Sequence, residues 1–388
     1  MEIITTTEQL AGFCAANATA EFVTVDTEFM RERTYWPKLC LVQVGGIDGA
    51  VAIDPLAKSI DLSPLFDLLA NPKIMKVFHA ARQDVEIFYN LTGRVPQPMF
   101  DTQVAAMVCG FGDAASYETL ADKLANAKID KSSRFTDWSN RPLTEKQITY
   151  ALGDVTHLRI VYTRLKAQLE KSERAHWVSE EMAILTNPDT YKVNPQEIWR
   201  RFKFRADKGK TRALLRELCA WRENEAQRLD VPRGRIIRDE ALAEIANNSP
   251  SSAHELARVR GLSTGFAESR QGKDILAAVA RVEAMALDQF PVGERRRLMP
   301  PGLGPVVDLL KILLRQTCEE EGVAPKLIAN VDDLEDIAAN DDANVSALKG
   351  WRREVFGETA LALKRGDIAL CIEGKKIVRI KVNGKMAS

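Results

Sequence analysis

Asp26 and Glu28 stand two residues apart in Val25-Asp26-Thr27-Glu28-Phe29. In an extended chain that spacing puts both carboxylates on one face. Strand interiors disfavour both residue types, a conflict expected where function outranks stability, although for the pair taken alone a solvent-facing strand surface is the plainer account. Asp84 closes His79-Ala80-Ala81-Arg82-Gln83-Asp84, in the first turn of a predicted helix, where the positive end of the helix dipole favours an acid. Tyr150 and Asp154, in Tyr150-Ala151-Leu152-Gly153-Asp154, share a helix face beside an apolar seam through Ala151 and Val155. Each element alone has a plain structural explanation; together they ask for a joint one. Converging hard carboxylates suit Mg²⁺ or Mn²⁺, which prefer oxygen ligands. Two such ions roughly 3.5–4 Å apart can activate a water and stabilise the leaving oxygen of a phosphodiester. A tyrosine hydroxyl can hydrogen-bond and orient that water.

The elements that must carry these residues read as α/β over the first 170 or so positions. Residues 21–29 alternate as a strand, 39–44 form an apolar strand, and 50–54 return after the turn Gly45-Gly46-Ile47-Asp48-Gly49, which favours an antiparallel hairpin. Residues 62–70 are helical, 74–78 a buried strand and 81–89 a helix, and Pro96 and Pro98 punctuate before 99–102. Thr144-Glu145-Lys146-Gln147 matches a capping box opening a helix with apolar spacing at Ile148, Ala151, Val155, Leu158, Tyr162 and Leu165. Beyond about 175 strand signals largely vanish until two short strands within 368–382. Pro291-Val292-Gly293 and Pro300-Pro301-Gly302-Leu303-Gly304-Pro305 mark a linker between two helical regions of similar length.

The 388 residues are 45% hydrophobic and 28% charged, which excludes a disordered, collagen-like or disulfide-framed chain. Lysine plus arginine equals aspartate plus glutamate at 54 each, so any nucleic-acid site must come from local segregation of charge. The densest basic stretch holds Arg200, Arg201, Lys203, Arg205, Lys208, Lys210 and Arg212 against Asp207 alone. It reads either as a phosphate track or as a linker helix that pairs with neighbouring acids. Six scattered cysteines without a C-x-x-C pair imply reduced thiols. The N-terminal residues lack a signal-peptide pattern and no apolar run reaches a membrane span, so a cytoplasmic location is expected.

The three acidic motifs resemble the exonuclease motifs of the DEDDy 3′→5′ exonucleases, and the chain is similar to the bacterial ribonuclease D family. Phe29-Met30-Arg31-Glu32-Arg33-Thr34-Tyr35-Trp36-Pro37, Phe100-Asp101-Thr102-Gln103, and the stretches from Asp130-Lys131-Ser132 through Asp137-Trp138 to Arg141-Pro142-Leu143-Thr144 add to it. Val231-Pro232, Ile237, Asp239, Leu242 and Val259-Arg260-Gly261-Leu262 resemble an HRDC domain, and Gly350-Trp351-Arg352-Arg353-Glu354 a second, divergent copy. The resemblance implies a ribonuclease-H-like exonuclease domain over 1–172, a mixed sheet flanked by helices, then a linker or basic helix over 173–207 and two mainly helical HRDC-type domains over 208–288 and 300–388. It implies two divalent ions, Mg²⁺ or Mn²⁺, with Asp26, Glu28 and Asp154 on the ion nearer the attacking water, Asp26 bridging, Asp84 supporting the second ion, and Tyr150 orienting the water. Candidate substrate contacts are Phe29, Trp36 and Trp138 for base stacking and Lys131 and Arg134 for phosphates. For Phe29 and Trp138 core packing competes with that role, and His79 is expected to be structural.

The implied activity is metal-dependent hydrolysis from RNA 3′ ends, releasing nucleoside 5′-monophosphates. The implied partners are precursor tRNA and other small structured RNAs, with no membrane and a monomeric state. A DNA-directed 3′→5′ exonuclease and a non-catalytic RNA-binding scaffold are the alternatives; recognition of the 2′-OH separates the first, and the intact acidic set argues against the second. The helical modules are expected to bind RNA, and a catalytic part freed of residues 208–388 is expected still to cleave a short single strand.

Overall fold

The computed structural model describes residues 3–203, 206, 208–292 and 300–382. Six strands form one mixed sheet in the order β1-β4-β3-β2-β5-β6: β1 (Ile3–Ile4), β2 (Phe22–Met30), β3 (Lys38–Gly45), β4 (Ala50–Ile53), β5 (Met75–Phe78) and β6 (Met99–Asp101). β2, β3 and β4 make an antiparallel meander; β5 runs parallel to β2, and β6 parallel to β5. The β3–β4 hairpin follows from the glycine-rich turn as predicted. β1 and the helix after it, α1 (Thr7–Ala16), were not predicted, because a two-residue strand exists only through its parallel pairing with β4.

β2 sets the two faces. Val23 and Val25 point into the core under α1, α2 (Ser63–Ala70) and α3 (Arg82–Thr92). Thr24, Asp26 and Glu28 point the other way, toward α6 (Glu145–Lys171), which follows α4 (Thr102–Val108) and α5 (Tyr117–Ala125). The predicted capping box forms: Gln147 N–H donates to Thr144 Oγ1 at 3.2 Å and Thr144 N–H to Gln147 Oε1 at 3.0 Å. α6 is pinned to the sheet where Thr24 Oγ1 donates to the Val155 carbonyl at 2.8 Å. Gly45 permits that approach, since a Cβ there would stand 3.1 Å from the Val155 oxygen.

The helical remainder falls into two runs with the same succession of lengths. A long helix α8 (Gly209–Leu229), after α7 (Ala175–Leu185), leads to α9 (Arg233–Ile236), α10 (Asp239–Asn248), α11 (Ala253–Leu256), α12 (Thr264–Glu268) and α13 (Arg270–Glu283). The second run repeats long, short and medium with α14 (Gly304–Glu321), α15 (Pro325–Ile328) and α16 (Val331–Ala339). It ends in α17 (Gly350–Arg352), α18 (Glu358–Arg365) and the antiparallel hairpin β7 (Ile368–Glu373) and β8 (Lys376–Lys381).

The two runs attach differently. The first has its own core around Leu214, Leu218, Leu242, Ile275 and Val279. It meets the β2–β3 loop through a polar latch. The Tyr35 and Trp36 N–H groups both donate to Asp230 Oδ1 at 3.0 Å, and the Tyr35 hydroxyl donates to the fully buried Glu223, which also takes the Arg233 guanidinium. Among the described residues the second has no separate core. Leu310, Leu313, Ile337, Trp351 and Phe356 share one apolar cluster with Val108, Leu165, Trp177 and Met182. Trp177 and Trp351 stack at 4.2 Å, and Ala324 N–H donates to the Met107 carbonyl at 2.9 Å. A catalytic part cut free of residues 208–388 would therefore expose its own core to water, against the expectation that it stands alone.

Candidate active site

The carboxylates of Asp26, Glu28 and Asp154 converge, with one oxygen of each within 4.8 Å of the others. β2 supplies the first two from one face and α6 brings Asp154 over that face. Asp84 arrives from the N-terminal turn of α3, at the end of β5 beside β2. Thr27 lies on the opposite face of β2 from Asp26, and its hydroxyl donates to Asp84 Oδ1. Alternation along a single strand thus presents two carboxylates directly and secures a third.

Asp84 owes its place to Asp101. The Asp101 carboxylate, 2% exposed, accepts the N–H groups of Ala80 at 3.0 Å, Ala81 at 2.8 Å and Gln103 at 2.8 Å. Those bonds hold the turn that opens α3, where Ala80 takes a left-handed φ of 56°. The His79 ring, which lines the cleft beside Asp26, is held at the same turn by Thr102 Oγ1, 3.0 Å from Nδ1. Thr27 and Asp101 are positioning residues that residue-type reasoning did not single out. The run Phe100-Asp101-Thr102-Gln103 carried the signal for the second, as an acid capping the next helix.

Burial raises all four carboxyls above their ordinary range. For Glu28 the neighbours Asp26, Asp154 and Asp84 add to burial, and for Asp84 and Asp154 the charge of Asp26 does. Such a cluster is at rest only when protons or cations neutralise it. An all-oxygen donor set of this kind fits hard divalent ions. Tyr150 hydrogen-bonds to Asp154, and burial with the surrounding carboxylates holds its hydroxyl far above the usual phenol range, so it stays protonated and donates. Tyr117, also not anticipated, donates its hydroxyl to the Gly153 carbonyl at 2.9 Å and lines the same cleft.

The cleft, about 390 Å³, is bounded by Asp26, Tyr150 and Asp154 on one side and by Lys131 and Arg134 on the other. Lys131 is ion-paired to Glu118, while Arg134 acts on Glu28 and Asp154 through its charge. Trp36 is 38% exposed beside the latch. Trp138 is not available for base stacking: it is 2% exposed, packs against Leu41 and Ala151, and lies 6.2 Å from the Tyr150 ring. Its role is to back the tyrosine. Phe29 is half-buried against the core under α1 and α3. Much of the basic stretch serves its own unit. Arg200 pairs with Glu197, Lys210 with Glu283, and Arg212 donates to the Pro291 and Ala206 carbonyls. Arg205 lies outside the described residues.

Residues 1–170 match a family model described as 3′-5′ exonuclease, and residues 211–279 match the HRDC domain. The chain is 51% identical to ribonuclease D of Nitrobacter hamburgensis over 98% of this chain and 100% of that protein. It is 52% identical to ribonuclease D of Granulibacter bethesdensis over 97% and 95%. Among solved structures it is similar to Escherichia coli RNase D, described as an exoribonuclease involved in structured RNA processing. That match has a TM-score of 0.81 at 30% identity and covers 94% of this chain and 98% of the other.

Proposed function

The chain belongs to the ribonuclease D family of 3′–5′ exoribonucleases, and from that premise we propose that Asp26, Glu28, Asp84 and Asp154 hold two divalent cations, Mg²⁺ or Mn²⁺, and that the substrates are the 3′ ends of small structured RNAs, chiefly precursor tRNA. The observation that carries the reading is the convergence of Asp26, Glu28 and Asp154 within 4.8 Å at a cleft rimmed by Lys131 and Arg134. Bound cations supply a water activated for attack and a counter-charge for the leaving oxygen. The rest falls to the protein. Tyr150, fixed by Asp154 and backed by Trp138, offers a hydroxyl to orient a water beside the acidic cluster. Thr27 and Asp101 keep Asp84 in register with β2. Lys131 and Arg134 meet the backbone phosphates of the terminal nucleotides, and the first helical unit, latched to the β2–β3 loop, borders the path of a structured RNA. The protein acts as a cytoplasmic monomer; among the described residues no helix is long and apolar enough to cross a membrane.

The test uses a precursor tRNA with a 3′ trailer, an unstructured RNA and a DNA of the same sequence, each in Mg²⁺, Mn²⁺ or EDTA. Stepwise release of nucleoside 5′-monophosphates from the RNA 3′ end is expected, stopping in EDTA and favouring the precursor. Equal turnover of unstructured RNA and precursor would refute the substrate assignment, and turnover in EDTA would refute the cation site.

A further inference from the structure

In the apolar run Leu39-Cys40-Leu41-Val42-Gln43-Val44 of β3, one amide interrupts the hydrocarbon. Gln43 is fully buried, and among the described residues neither Nε2 nor Oε1 has a hydrogen-bond partner. A buried primary amide without partners is among the more expensive things a core can hold, and each such group calls for an explanation. Its address supplies one. Gln43 is the cross-strand partner of Asp26 on one side and of Ala52 on the other. Its neighbours Val42 and Val44 belong to the core on the far face, while Leu41 and Ala52 pack under Ala151 and Leu152 of α6. Gln43 therefore shares the face of Asp26, beneath the helix that carries Asp154. Directly opposed side chains in such a ladder have Cβ atoms about 4.5–5.5 Å apart, within the span of a glutamine and an aspartate.

The carboxylates of the cluster differ in their support. Asp84 receives the Thr27 hydroxyl and Asp154 the Tyr150 hydroxyl, whereas the hydrogen-bond support of Asp26 is the Thr27 backbone N–H. Asp26 is the common neighbour whose charge acts on Glu28, Asp84 and Asp154, so its orientation matters most. Metal-ligating carboxylates are themselves hydrogen-bonded by outer partners that fix their rotamer. We propose that Gln43 is the positioning residue for Asp26: its Nε2–H would donate to the Asp26 carboxylate once that carboxylate takes up a cation, and would fix its rotamer. The proposal rests on the cation site assigned above. It accounts for a polar residue in a strand that otherwise reads as pure core.

The experiment compares the full-length protein with Gln43→Met, an unbranched apolar replacement of similar size, and with Gln43→Leu should the methionine repack badly. Mn²⁺ binding is measured by calorimetry, and melting temperature is measured in EDTA and in Mn²⁺. Removing an idle buried amide is expected to leave the melting temperature in EDTA unchanged or raised, while Mn²⁺ binds about 10–100-fold more weakly. Single-turnover cleavage of 3′-labelled RNA should fall at low Mn²⁺ and recover as Mn²⁺ is raised. Unchanged Mn²⁺ affinity would overturn the proposal, as would a loss of stability in EDTA with affinity intact, which marks a purely structural amide. Asp26→Asn is the control. If it keeps normal Mn²⁺ affinity, the cation site itself is misassigned; if it loses Mn²⁺ while Gln43→Met does not, only the role of Gln43 fails.

Discussion

Replacing Asp101 tests whether the site depends on a residue that never meets substrate. Its buried carboxylate takes three backbone N–H groups, those of Ala80 and Gln103 on Oδ1 and that of Ala81 on Oδ2. Asn at this position keeps one oxygen for the first two and turns an amide NH₂ toward the Ala81 N–H. A hydrogen bond to a charged acceptor is worth about 1.5–3 kcal/mol, so Asp101→Asn should cost about 2–3 kcal/mol. At roughly 2–4 °C per kcal/mol for units of this size, melting should fall by about 4–12 °C. Asp101→Ala strands all three donors and should cost about 5 kcal/mol or more. The effect on turnover follows from geometry: the freed turn carries Asp84, and a misplacement of about 1 Å can cost 10²-fold. Ala80→Gly should act in the opposite direction on stability, because its left-handed backbone costs a residue with a Cβ about 1–2 kcal/mol. Melting in EDTA and single-turnover cleavage at saturating Mn²⁺ are the assays. An Asp101→Asn protein with wild-type melting and wild-type turnover would refute the claim that Asp101 sets Asp84.

The carboxylate cluster should make the cation-free protein sensitive to alkali: burial pushes Asp26 up to about 6 and Asp154 up to about 8. Both lie above the unfolded value near 4. Their protonated forms thus contribute stability that is complete below about pH 4 and lost as pH rises through about 8. In EDTA the wild type should lose more melting temperature between pH 5 and 8 than Asp26→Asn does, and Mn²⁺ should remove the difference; parallel curves would contradict the coupling. Asp26→Asn, Glu28→Gln and Asp154→Asn should each nearly abolish cleavage while raising melting in EDTA, and near-normal activity in any of them would remove that residue from the site. Tyr150→Phe should lower turnover by ~10²–10⁴-fold with RNA affinity in Ca²⁺ unchanged, and normal turnover would leave the tyrosine a packing role only. Trp351→Ala, which breaks the stack on Trp177, should destabilise by about 3–5 kcal/mol, and the melting of the exonuclease part should fall with it. A drop confined to the C-terminal helices would show that the two do not share one core.

The candidate chemistry-bearing residues and most of the elements that hold them are legible in the residue pattern alone. Asp26 and Glu28 violate strand propensity, Thr144 and Gln147 spell a helix start, and Tyr150 and Asp154 share a helix face; all of these are local facts, fixed by periods of two and of about three and a half. Proximity is not local. The packing of the whole fold lays α6 across β2, because that depends on the pairing order of strands far apart in the chain and on the absence of a side chain at Gly45. It alone decided that Trp138 turns inward, and that Arg200, Lys210 and Arg212 spend their donors within their own unit. The supporting residues Thr27 and Asp101 are ordinary types at ordinary spacings; what singles them out is burial and the partner they reach. A Pro/Gly-rich linker precedes the last helical run, as it would a free-standing module. Its dependence on the exonuclease part emerges only where its apolar residues are seen to share a core with Val108, Leu165 and Trp177, since an amphipathic pattern records that a face must be covered but not by what.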